Sequence, residues 1–160
     1  MSILKVDTIN EKTSGNGVAI PGHVIQVVND LKTPQSITTS STSFVTTGHS
    51  LSITPKSSSS KIFLLLAGGG HYLPQGSAMA VVTIYRDSTN IGHATHGLES
   101  VYTVGSTGYS VVGHSLSFVD APSTTSAITY TTYMKTANGT YQYHLGDRGS
   151  LNFTAMEIAQ

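Results

Sequence analysis

The 160-residue, 16.8 kDa chain is long enough for one core plus an appendage. Only 10% of residues are charged and the formal net charge is zero, so it lacks the basic footprint of a nucleic-acid binder or of a protein held on acidic lipid. Cysteine is absent, which excludes a disulfide framework, a thiol nucleophile and thiolate-based zinc sites.

Residues 1–28 alternate short apolar stubs with turn formers. Leu4, Val6 and Ile9 are apolar, residues 11–17 are polar, Val18 and Ile20 are apolar again, and Pro21-Gly22 breaks the chain. Such stubs bury too little surface to hold themselves in place. They fit pairing outside the chain, with sister copies or a larger particle. Residues 1–22 are therefore the expected attachment segment, carried by Leu4, Val6, Ile9, Val18 and Ile20, and residues 23–160 the folded domain. The N-terminus has no apolar signal-peptide core. The longest apolar run, residues 62–67, falls far short of the roughly 20 residues that span a bilayer. No membrane insertion is expected.

From residue 23 onward short strands follow one another. Residues 24–28 read as a strand, residues 29–35 with Pro34 as a loop, and residues 36–41 and 43–47 as Thr/Ser-rich strands. Residues 51–54 alternate strictly, the mark of a half-buried strand. Residues 61–67 (KIFLLLA) read as a central strand buried on both faces. Residues 78–86 (AMAVVTIYR) read as a second core strand packed beside it. Between these two, residues 68–77 carry four glycines and read as a long loop. Residues 91–108 are weakly patterned, and residues 109–119 resume a strand. Residues 127–134 form the next one, with a break in phase at Thr131-Thr132. Asn138-Gly139 predicts a hairpin turn, with Tyr141 and Tyr143 alternating on the return strand. The last strand, residues 152–158, shifts its apolar face from Phe153 to Met156 and Ile158.

With 22 Ser, 22 Thr and twelve Tyr plus Phe, the composition is that of a Thr-rich β-protein rather than a disordered chain. Eight to ten short strands, turn signals at roughly 8–12-residue spacing and no convincing helix predict an all-β sandwich or barrel, with a jelly-roll-like β-sandwich the first choice. The absence of a fixed repeat argues against a β-helix.

The run LKVDTINEKTSGNGVAIPGHVIQVV, residues 4–28, resembles the N-terminal segment of small fibre-like virion structural proteins of tailed, especially marine, bacteriophages. Residues 51–66 (LSITPKSSSSKIFLLL), 118–133 (FVDAPSTTSAITYTTY) and 153–159 (FTAMEIA) carry the same resemblance. Residues 68–113 do not. The resemblance implies a non-enzymatic virion protein, assembled in a host cytoplasm into the particle. It implies a homotrimer whose N-terminal segment contacts other virion proteins and whose β-sandwich knob is displayed outward. Tail fibre, head fibre, a host-receptor or glycan-binding tip and a capsid decoration protein all fit it.

No catalytic constellation stands out. A nucleophile elbow is lacking, since residues 113–117 (GHSLS) miss the final glycine. The eight acids are scattered, mostly in apparent turns, which disfavours paired carboxylates. Gly68-Gly69-Gly70 has neither the following helix nor the Lys of a phosphate cradle. Among seven histidines, His93 and His96 are the nearest pair, a weak metal candidate because a strand would point them to opposite faces. No cofactor is expected. If the protein touches a host glycan, His71, Tyr72 and Tyr102, in or near the glycine-rich middle, are the candidate receptor or interface loop residues.

Overall fold

The computed structural model describes residues 6–10, 20–32, 35–73, 76–106, 110–143 and 149–160. Strands account for its regular structure, and no helix occurs among the described residues. They are β1 (Val24–Lys32), β2 (Ile37–Thr39), β3 (Val45–Ile53), β4 (Lys61–Leu73), β5 (Gly76–Arg86), β6 (Thr89–Asn90), β7 (Glu99–Ser106), β8 (Ser110–Asp120), β9 (Ile128–Thr136), β10 (Tyr141–Tyr143) and β11 (Leu151–Ile158).

Two antiparallel sheets form. The first runs β1-β11-β4-β8; β10 continues the β11 side of β4, and β2 pairs with β10. The second runs β3-β9-β5-β7, with the short β6 also on β5. Among the eight long strands, first pairs with last, second with seventh, third with sixth and fourth with fifth. That is one long hairpin rolled over on itself, the jelly roll expected from the turn spacing.

Alternation places the core. Ile62, Leu64 and Leu66 of β4 face Ala80, Val82 and Ile84 of β5, with Tyr130 and Met134 of β9 and Leu151, Phe153 and Ala155 of β11, all nearly or wholly buried. Each buried Leu, Ile or Phe side chain contributes about 1.5–3 kcal/mol relative to exposure.

Several local expectations change. β1 continues to Lys32, through residues read as loop, because Asn29 to Lys32 keep pairing with Thr154 to Leu151 of β11. The runs 43–47 and 51–54 merge into one strand, β3 (Val45–Ile53), which Gly48 at φ +76° kinks without ending. Residues 61–67 are fully buried on one face only, since Phe63 and Leu65 stay partly accessible. β5 lies in the sheet opposite β4, not beside it.

Residues 68–73, read as loop, extend β4. Thr132 is buried in step with Tyr130 and Met134, so β9 keeps its phase, while Tyr133 stacks on Tyr85 across the outer face at 4.0 Å. Asn138-Gly139, with Gly139 at φ +70°, makes a turn that carries the chain from one sheet to the other instead of closing a hairpin. β11 buries Glu157 in line with Phe153 and Ala155, so its inward face does not shift to Met156 and Ile158. Glu157 is tolerated inside because Gln26 Nε2 and the backbone N–H groups of Lys56 (2.8 Å) and Ser57 (3.3 Å) donate to it.

Candidate functional site

The glycine triplet builds the most polar part of the interior. Gly68 and Gly69 adopt φ +104° and +63°, and the register against β8 jumps between Ala67 and Gly70. This bulge reverses the strand's phase. Before it, the even-numbered Ile62, Leu64 and Leu66 point inward; after it, His71 and Leu73 do. Only glycine fits at 68, where an added Cβ would lie 2.2 Å from the Ser150 carbonyl oxygen.

His114 of β8 lies opposite the bulge, between the pairs Ala67–Ser115 and Gly70–Gly113. Glu99 opens β7 in the other sheet, opposite Val82. Tyr141 and Tyr143 of β10 both point inward.

These five side chains meet. His71 Nε2 lies 2.9 Å from His114 Nδ1 and 3.3 Å from Glu99 Oε1; Glu99 Oε2 lies 2.5 Å from His114 Nδ1. His71 Nδ1 bonds the Tyr141 hydroxyl at 2.5 Å, and His114 Nε2 lies 3.5 Å from the Tyr143 hydroxyl. The histidine side chains are 1% exposed and that of Glu99 is 21% exposed, which makes Glu99 the most accessible member of the cluster. His49 of β3 is also buried, its ring 5.8 Å from that of Tyr143.

Burial alone would raise the Glu99 carboxyl, but hydrogen bonding and charge from His114 and His71 outweigh it and hold the carboxyl at about 2. Burial pushes Tyr141 and Tyr143 above the ordinary phenol range, so both stay as neutral hydroxyls. The arrangement is a carboxylate and two imidazole nitrogens converging on one point, held from behind by phenols. The described residues hold one such group of three His, Asp or Glu side chains able to share a metal ion.

The residues singled out from sequence scatter. Leu4 and Val18 lie outside the described residues. Val6, Ile9 and Ile20 are exposed and lie outside any strand. His71, Tyr72 and Tyr102 do not form a loop: His71 is interior on β4, Tyr72 is on the opposite face of the same strand, and Tyr102 stands out from β7 at 62% exposure. His93 and His96 are exposed and stacked at 5.3 Å, and His93 Nδ1 accepts the backbone N–H groups of Thr95 and His96 at 3.1 and 3.0 Å. That pair caps a turn.

Glu99, His114, Tyr141 and Tyr143 were not singled out as a site. One signal existed: Gly-His recurs at 22–23, 48–49, 70–71, 92–93 and 113–114. It does not say which histidines turn inward; of these, His49, His71 and His114 do.

No family model matches the chain, and no curated protein matches it. Among solved structures, it is similar to the infectious bursal disease virus Gt strain structure at 11% identity and TM-score 0.41, over 98% of this chain and 43% of that one. A second is the D431N mutant VP2 protein of infectious bursal disease virus in T=1 particles, at 11% identity and TM-score 0.39, over 98% and 41%. The chain spans less than half the length of either.

Proposed function

We propose that the protein is a non-enzymatic structural component of a virus particle: a jelly-roll knob, homotrimeric, tethered by its N-terminal segment. The observation that carries this reading is the contrast between the knob and that segment. The core closes without residues 6–10 or Ile20, while Val6, Ile9 and Ile20 are 51%, 57% and 38% exposed. The apolar side chains of its described residues, Val6, Ile9 and Ile20, lie outside the core cluster and offer surface to sister chains or the particle. The edge strand β1 that follows adds Val24, Val27 and Leu31, also exposed. The resemblance of residues 4–28 to tailed-phage virion proteins supports the same reading and favours a fibre-like appendage.

Deleting residues 1–22 tests it. The truncated chain should keep its strand signal in circular dichroism and lose incorporation into particles. Unfolding on truncation would place the segment in the core, and undiminished incorporation would end the tether.

A further inference from the structure

We propose that His71, Glu99 and His114 bind a divalent transition-metal ion, zinc by ligand preference, and that this ion staples the two sheets together where β7 meets β8.

The donor set comes first. Two neutral imidazoles and one carboxylate suit zinc and its neighbours, and they leave a further position for water. The spacing fits as well. Two nitrogens each about 2.05 Å from one ion lie about 2.9 Å apart at a right angle and about 3.3 Å apart at the tetrahedral angle. His71 Nε2 and His114 Nδ1 are 2.9 Å apart, and His71 Nε2 and Glu99 Oε1 are 3.3 Å apart. The 2.5 Å approach of Glu99 Oε2 to His114 Nδ1 must widen. Glu99, the partly exposed member, can do this by rotating its carboxylate.

The surroundings are those of a ligand shell. A metal-bound imidazole donates its other N–H to an oxygen that fixes the ring. His71 Nδ1 has the Tyr141 hydroxyl there, and His114 Nε2 faces that of Tyr143. Without an ion, both inner ring nitrogens cannot carry protons, because two N–H groups would then oppose each other at 2.9 Å. An ion satisfies both lone pairs and the carboxylate together. An ion would enter past Glu99, the member of the three with the most exposed side chain.

The role follows from which strands are joined. His71 and His114 belong to one sheet and Glu99 to the other, and β7 and β8 are outer strands of their sheets. Cysteine is absent, so an ion here does for this chain what a cross-sheet disulfide does in others.

The test uses the full chain after dialysis against a chelator. Zinc titrated by calorimetry should bind one ion per chain. At a hundred times Kd it should raise Tm by about 5–10 °C. Glu99→Gln and His114→Gln should each weaken binding by at least 100-fold, and Tyr141→Phe by about 10–100-fold. His93→Ala combined with His96→Ala should change nothing. Should a variant misfold, imidazole nitrogen NMR of the wild-type chain decides: zinc must shift the His71 and His114 rings and leave His93 and His96 unmoved. Failure of the stripped chain to bind zinc, binding undiminished by Glu99→Gln, or shifts confined to His93 and His96 would each overturn the site.

Discussion

Tyr130 of β9 donates to Asp120 of β8 at 2.7 Å, joining one sheet to the other at the end of the sandwich opposite the histidines. Arg86 of β5 completes the contact, its Nη1 lying 2.9 Å from both carboxylate oxygens of Asp120. Asp120 is 7% exposed, so these two partners supply the hydrogen bonds that solvent would otherwise make. Asp120→Ala strands a guanidinium and a buried hydroxyl, and should cost about 3 kcal/mol in urea unfolding. Tyr130→Phe should cost about 1–2 kcal/mol.

Tyr130 also gives the contact an alkaline limit. Burial first, and then the Asp120 hydrogen bond and charge, raise its phenol above the ordinary value of 10. A folded-state value above the unfolded one means stability is complete below pH 10 and falls as pH rises beyond it. The limiting slope from this residue is about 1.4 kcal/mol per pH unit. Unfolding of the wild type between pH 10 and 11 should therefore steepen relative to Tyr130→Phe by about that amount. Equal slopes would mean that Tyr130 ionises in the native state.

Two glycines should respond in opposite ways to the same substitution. At Gly97, φ +61°, an added Cβ would sit 2.3 Å from the Val82 carbonyl oxygen, whereas at Gly113 it would meet nothing within 4 Å. Gly97→Ala should destabilise by more than about 2 kcal/mol through strain and displacement of the strand beside it. Gly113→Ala should be neutral or stabilising by about 0.5 kcal/mol, since alanine loses less freedom on folding. Thermal unfolding of the two variants compares them directly.

Light scattering on the full chain should give three times 16.8 kDa. Val6→Asp combined with Ile9→Asp should lower the mass toward one chain while leaving the strand signal in circular dichroism intact, because both side chains are exposed in the single chain. A wild-type monomer at micromolar concentration would remove the trimer, and loss of the strand signal in the variant would tie these residues to the core.

Glu157 offers a local check on packing. It is fully buried and accepts the Lys56 and Ser57 N–H groups that close the turn between β3 and β4. Glu157→Ala should cost about 2–3 kcal/mol by leaving those donors unpaired. Hydrogen exchange at both amides should accelerate in the variant.

Fold class was open to sequence reading because it depends on local chemistry. Alternating Thr, Val and Tyr can satisfy a pleated strand, and Gly, Pro and Asn-Gly mark where strands end. The strands at 78–86, 109–119 and 127–134 were legible for that reason. Which strand sits beside which was not, since β5 and β4 read alike whether paired or opposed. Tertiary structure alone decided that Asn138-Gly139 changes sheets, and that the pairing of β11 carries Glu157 inside. It also decided the site. Gly68-Gly69-Gly70 reads as a loop, because three glycines in water have no reason to stay extended. Pairing with β8 keeps them in the strand as a bulge, and the reversed phase turns His71 inward to meet His114, 43 positions later, and Glu99 from the other sheet. The sequence determined the residue types and their alternation; the packing of two sheets, which no local spacing encodes, decided which of them converge.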